Sequence, residues 1–182
     1  MLIDAYLDEM NLPRKKAASK EQWKNSPRWT LTTWKKFVAS LPPIQQQLES
    51  ESPPATVDVH EFLGLCRQVA ELLRRRAWAD GIETKSRKGT AYAMRAGSRT
   101  AGHRVVCIGD IHSSIHALMR TLDCMHTRGF LQDDMTLAPH TTLVFLGDIV
   151  NRGPYNMPCL ALVFTLMLRT PARVYCVAGN HE

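Results

Sequence analysis

None of the five cysteines (Cys66, Cys107, Cys124, Cys159, Cys176) forms a Cys-x-x-Cys pair. That removes the usual zinc spacing, and an odd count argues against a disulfide framework. Reduced, mostly buried thiols in a reducing compartment are the expectation. The opening run from Met1 to Glu9 carries early acids and lacks an apolar core of signal-peptide length. No stretch approaches the ~20 apolar residues of a membrane helix. The longest, Cys159 to Leu168, is interrupted by Thr165. A soluble protein without membrane contact is expected, in the cytoplasm, with the nucleus as the alternative.

Positive excess is absent from the second part of the chain. Residues 1–100 hold 17 Lys and Arg against 11 Asp and Glu, whereas residues 101–182 hold six of each. Histidine is distributed the other way, with six of the seven after residue 100. The two parts therefore have different chemistry. The segment 1–54 has Trp23, Trp29, Trp34 and Phe37 interleaved with Lys20, Lys24, Arg28, Lys35 and Lys36. Such interleaving can stack nucleic-acid bases. No RNA- or DNA-binding signature accompanies it, so a short amphipathic helix over about 30–39, with Trp34, Phe37 and Val38 packed down, is the preferred reading. Pro42-Pro43 and Pro53-Pro54 bracket a Gln- and Ser-containing stretch that reads as a linker.

Residues 55–81 are read as one amphipathic helix. Asp58 caps it with Glu61 in capping-box position, Phe62, Leu65, Cys66, Val69, Leu72 and Leu73 recur at helical spacing, and Gly81 stops it. Arg74-Arg75-Arg76 reads as a solvated face near the helix end. Residues 82–102 look like a flexible basic connector.

From residue 103 strands and helices alternate. Val105–Ile108, a strand over about 142–147, and Val174–Ala178 are separated by helices over about 114–128 and from Pro158 to Leu168. Ile115, Leu118, Met119, Leu122 and Met125 form the buried stripe of the first. The second is apolar almost all round, so it should be covered on more than one side. The β-α-β-α-β order predicts an α/β fold with a parallel sheet.

Each strand runs into a glycine and then into a residue able to ligate metal. The runs are Gly109-Asp110-Ile111-His112, Gly147-Asp148-Ile149-Val150-Asn151-Arg152-Gly153 and Gly179-Asn180-His181-Glu182. Carboxyl ends of strands are where ligands bind in such sheets. Asp110 and Asp148 offer anionic oxygens, His112 an imidazole nitrogen and Asn180 a carbonyl oxygen. Mixed N/O donors suit Mn, Fe or Zn. Two such metals bridged by a carboxylate can clamp a phosphate and activate a water for in-line attack. Arg152 can hold phosphate oxygens through its fork of donors, and His181 can protonate a leaving oxygen.

These three runs, in this order, resemble the signature motifs of the calcineurin-like metallophosphoesterases, and more narrowly the phosphoprotein phosphatase branch. The resemblance covers about residues 103–182 and says nothing of 1–100. It implies half of a β-sandwich core and two divalent metals. Asp110 and His112 would bind the first metal, Asp148 would bridge both, and Asn180 would bind the second. Arg152 would contact phosphate and His181 would be the general acid.

Three departures stand out. Asn151 occupies a position that is usually aspartate, where the acid keeps the motif histidine protonated. Asparagine can orient His181 but brings no charge, so a weaker general acid is expected. The same position varies among diadenosine-polyphosphate hydrolases, which keeps that substrate class open, although Glu182 resembles the protein phosphatase ending. Ser113 replaces a frequent glycine and is expected to cap the following helix. Finally, family members carry two further histidine ligands of the second metal, another arginine and a second sheet beyond the point corresponding to Glu182. His60, His103, His116, His126 and His140 sit in no matching motif, so the chain reads as a fragment with an exposed third strand and apolar helix. The resulting expectation is a dinuclear-metal phosphomonoester hydrolase acting on phosphoserine or phosphothreonine in proteins. The alternatives are a diadenosine-polyphosphate hydrolase and an inactive regulatory or binding module. The expected partners are a phosphoprotein substrate and a regulatory protein acting through the N-terminal region, with neither membrane nor nucleic acid.

Overall fold

The computed structural model describes residues 29–52, 54–79, 83–86, 89–92 and 102–182. Trp23, its basic neighbours and Gly81 lie outside the described residues. Three parallel strands, β3 (Arg104–Ile108), β4 (Thr141–Phe145) and β5 (Val174–Cys176), form a sheet in that order, with Ile108 beside Phe145 and Phe145 beside Cys176. All three carboxyl ends therefore emerge at one edge. Alternation along the strands sends Leu143, Phe145 and Val174 into the core, while Val105, Leu146 and Val177 remain half-exposed on or just beyond the other face.

The helix after β3, α4 (Ile115–Thr127), buries the whole expected stripe: Ile115, Leu118, Met119, Leu122 and Met125. It ends where Gly129 turns left-handed at φ +70°. Gly129 donates to the His126 carbonyl and Phe130 to that of Met125, the two bonds of a Schellman cap. The helix after β4, α5 (Asn156–Arg169), buries Pro158, Cys159, Ala161, Leu162, Val163, Thr165, Leu166 and Met167. Its one buried hydroxyl is satisfied: Thr165 Oγ1 donates to the Ala161 carbonyl at 2.7 Å. Each fully buried Leu or Val contributes roughly 1.5–3 kcal/mol, so a helix of this composition needs a cover on both sides.

That cover is the N-terminal region, which corrects the expectation of an exposed apolar helix. Helix α3 (Val59–Ala79) lies on α5, with Phe62 stacked on Phe164 at 6.3 Å between centroids. Asp58 caps α3 by accepting from the amides of His60 and Glu61, and the Trp29 indole donates to the Glu61 carboxylate. Helix α1 (Leu31–Ser40) packs on α4. Thr30 and Thr33 cap it reciprocally, each hydroxyl accepting from the other's amide. Trp34 is fully buried and stacks on Trp29 at 4.3 Å. These two rings belong to the core and are not displayed for base stacking. Lys35 pairs with Asp123 of α4.

Two further expectations differ. The Pro-bracketed linker contains a short helix, α2 (Ile44–Leu48), whose Gln47 is buried and donates to the Ser52 carbonyl at 2.8 Å. Within the expected basic connector, β1 (Glu83–Ser86) and β2 (Gly89–Tyr92) pair antiparallel. Arg74 and Arg75 are exposed and both bond Glu71. All five thiols are free, but only Cys159 is fully buried, and burial pushes it up to about 12. Cys107 is exposed on the same face of β3 as Val105.

Candidate metal and phosphate site

The site is assembled from the loops that follow β3, β4 and β5. Five of the seven non-glycine residues with positive φ among the described residues lie there: His112, Ser113, Asp148, Asn151 and Arg152. Left-handed backbone at such residues costs about 1–3 kcal/mol each and persists only where surroundings over-determine it. The surroundings here do so. The amides of Ile111 and His112 both donate to the Asp148 carbonyl, at 2.9 and 2.8 Å, and Ser113 donates to Ile149. Gly147 and Gly179 let the β4 and β5 loops touch through their backbones. A Cβ on Gly147, itself at φ +95°, would meet the Gly179 nitrogen at 2.2 Å, and one on Gly179 would meet Asp148 Oδ1 at 2.1 Å.

The predicted ligands come together in part. His112 Nδ1 lies 3.2 Å from the Val150 carbonyl, which can only accept. Nδ1 therefore carries the proton, and the Nε2 lone pair is free for a metal. Asp110 Oδ2 is 3.7 Å from that Nε2. His112, Asp148 and His181 present ligand atoms within 4.8 Å of one another. This donor set fits a divalent ion of the N/O-binding kind. Asn180, between Gly179 and His181, is exposed.

His181 sits against the residues expected to serve it. Its ring packs edge-on to His112 at 4.9 Å, and its amide donates to Asp148 Oδ1 at 3.0 Å. Asn151 Nδ2 is 3.3 Å from Nδ1, and Arg152 Nη2 is 3.2 Å from Nε2. Both neighbours are donors, and a neutral imidazole has one acceptor nitrogen. When Nδ1 accepts from Asn151, Nε2 carries the proton and faces the same space as the arginine. Two donors then converge on a place suited to an anion.

Two residues to which sequence reasoning gave no such role hold this arrangement. Glu182 was read only as a family marker. Its carboxylate accepts from the amides of Asp148 (2.7 Å), Ile149 (2.7 Å), Val150 (3.4 Å) and Gly179 (2.8 Å), tying the β4 and β5 loops together. Partial burial alone would raise its carboxyl, but these donors outweigh that and hold it below the ordinary range. Asn156, at the start of α5, accepts on Oδ1 from the Asn151 amide (2.7 Å) and the Ser113 hydroxyl (2.5 Å), and donates to the Gly153 carbonyl (3.2 Å). Ser113 is thus not the helix cap expected. It lies at φ +61°, and its hydroxyl is committed to Asn156. Glu182 stood at the end of a strand-end motif, the one signal that could have found it, whereas Asn156 carried none.

Residues 103–182 match the family described as calcineurin-like phosphoesterase. The chain is 30% identical over 123 residues to serine/threonine-protein phosphatase PP1-1 of Saccharomyces cerevisiae, covering 68% of this chain and 30% of that protein. It is 37% identical over 78 residues to serine/threonine-protein phosphatase SIT4 of Candida albicans, covering 43% and 23%. It is 36% identical over 78 residues to the serine/threonine-protein phosphatase 6 catalytic subunit of Caenorhabditis elegans, covering 43% and 20%. The chain therefore spans no more than about a third of the length of these curated relatives.

Proposed function

Residues 103–182 belong to the calcineurin-like metallophosphoesterases, in their phosphoprotein phosphatase branch, and from that premise we propose that they carry the metal and phosphate residues of a hydrolase acting on phosphoserine and phosphothreonine in proteins. The observation that supports this most is the convergence of His112, Asp148 and His181 within 4.8 Å, beside Arg152. Asp110, His112 and Asp148 would hold one divalent ion, and Asp148 with Asn180 would contribute to a second, of Mn, Fe or Zn. Such ions supply Lewis-acid stabilisation of charge on the phosphoryl group and acidify a bound water.

The chain's own residues do the rest. Arg152 binds non-reacting phosphate oxygens through paired donors. Water attacks phosphorus in line, the bond to the seryl or threonyl oxygen breaks, and His181 gives its Nε2 proton to that oxygen. Asn151 orients the ring by donating to Nδ1. No phosphoenzyme is formed. Free thiols fit a reducing compartment, the cytoplasm or nucleus, and no described helix is long and apolar enough to cross a membrane. A regulatory protein acting through the N-terminal region would use faces of α1 to α3 left outside the core.

Release of phosphate from a phosphoserine peptide, compared with cleavage of diadenosine tetraphosphate, tests the substrate class. Asn151 in place of aspartate is what keeps the second substrate under test. Phosphopeptide turnover that Arg152→Ala removes supports the proposal, and cleavage of the dinucleotide alone would replace it. Metal analysis separates an enzyme from an inactive binding module. Two bound ions fit the former, and one weakly held ion or none fits the latter.

A further inference from the structure

The loop that carries Asn151 and Arg152 ends in a dipeptide that faces two ways. Asn156 ties Asn151, Ser113 and Gly153 together on the site side, as described above. Tyr155, its neighbour, points back into the molecule and is fully buried. Its hydroxyl donates at 2.6 Å to the carbonyl of Pro42, 113 residues earlier, in the turn between α1 and α2. Leu41, beside Pro42, and Val57, just before α3, are both buried. Thr56 Oγ1 lies 3.7 Å from Met157 Sδ, one residue past Asn156. From α4, the His116 ring packs edge-on to Tyr155 at 5.7 Å. The entry to α5 is thus gripped from behind by residues 41–57, while its first residue grips the site loop in front.

We propose that the N-terminal layer is a built-in brace for the phosphate-binding loop. Tyr155 is its positioning residue: the hydroxyl anchored on Pro42 sets where Asn151 and Arg152 stand. Residues 29–57 are then part of the functional unit and not an appended module. The inference deepens the reading of Arg152 as the phosphate ligand and rests on it. The physical reason lies in the loop's conformation. Asn151 and Arg152 are held at φ +67° and +63°, a state that relaxes unless its ends are fixed. No side chain of the N-terminal layer bonds Asn151 or Arg152 among the described contacts. The Tyr155–Asn156 pair is the route by which one can act on the other. Removing the Tyr155 hydroxyl leaves the Pro42 carbonyl without its partner and frees the ring to shift, and Asn156 with it.

The test uses the whole 182-residue chain and inorganic phosphate as the probe, with Tyr155→Phe, Arg152→Ala and Phe62→Leu as variants. Phe62→Leu loosens α3 on α5 at Phe164, nine residues along the helix from Tyr155 and roughly 13 Å away at 1.5 Å per residue. Titration calorimetry should show phosphate binding that Arg152→Ala loses. Tyr155→Phe should weaken it about five-fold, the factor that one net hydrogen bond carries, and Phe62→Leu should leave it unchanged. Hydrogen exchange at the Asn151 amide, which donates to Asn156 Oδ1, should accelerate in Tyr155→Phe alone. Parental affinity and exchange in Tyr155→Phe overturn the brace. Equal losses in Phe62→Leu do so too, because they mark general loosening. If the parent binds phosphate no better than Arg152→Ala, the phosphate reading fails instead. The exchange rate of the Asn151 amide then decides the brace alone: faster in Tyr155→Phe upholds it, and unchanged overturns it.

Discussion

The β4 loop and the outer proposed ligands, Asp110 and Asn180, share one edge of the sheet and are held very differently. Asp148 is fixed on every side: its carbonyl takes two amides from the β3 loop, its Oδ1 accepts from His181, and its own amide donates to Glu182. Asn180, in the same cluster of strand ends, is exposed. Asp110 is likewise mostly solvated, with 67% of its side chain accessible. The difference divides the candidate site into a part pre-built by the fold and a part that takes its shape from what binds. The pre-built part should break under a single methyl. Gly179→Ala puts a Cβ 2.1 Å from Asp148 Oδ1 and 2.5 Å from its amide nitrogen. Backbone must move, at about 1–3 kcal/mol by the usual cost of overpacking. Urea unfolding should register that loss, and calorimetry should register weaker Mn²⁺ binding. Parental values for both would show that the two loops do not need their close contact.

The clamp made by Glu182 sharpens the comparison through pH. Its folded carboxyl lies below the ordinary value because four backbone amides outweigh the effect of burial. A depressed folded value means the stabilisation is present in full above the unfolded value of 4.5 and is lost as pH falls through the lower, folded one. Glu182→Gln removes the charge and aims an amide donor at donors. The variant should melt a few degrees below the parent at pH 6, and the gap should narrow as pH falls below 4.5. A gap that stays constant with pH would mean the carboxylate's charge is irrelevant to the clamp.

Periodicity explains what could be read beforehand. The stripe from Ile115 to Met125 and the parallel strands follow from patterns repeated along a local stretch, so the helix, its face and the common edge of the strand ends were legible. The three Gly-led runs are local too, and they marked the side chains that the strand ends bring to one edge. Contacts such as Tyr155 to Pro42, or Ile149 to Glu182 over 33 residues, have no period. Each joins one residue of an ordinary type to one distant backbone atom. The cover over α5 was hidden in another way. The sequence required a second side of α5 to be covered, yet the amphipathic α3 that covers it lies across a stretch that read as a flexible connector.

Asn151 separates orientation from charge within the pre-built part. Asn151→Asp keeps the group beside His181 and adds the negative charge that asparagine lacks. If His181 is the proton donor, turnover of a phosphopeptide should rise, by roughly tenfold against the 10²–10⁴ that general acid catalysis commonly supplies. The unfolding midpoint should move little, since the residue is exposed. Unchanged turnover would remove the claim that charge at this position limits the reaction.

The smallest structural effect is expected at Asn180. Its side chain is exposed, so Asn180→Ala should leave unfolding free energy within about 0.5 kcal/mol of the parent, as is usual for surface positions. The neighbouring amides that build the site belong to Gly179 and His181 and do not depend on the Asn180 side chain. Metal binding should nevertheless respond. If Asn180 supplies a carbonyl oxygen to a second ion, Mn²⁺ titration of the variant should lose its weaker step and keep the stronger one, proposed for His112 and Asp148. Loss of both steps would mean that the two parts of the site are not separable. Retention of both would take Asn180 out of the ligand set and leave the pre-built group as the metal site.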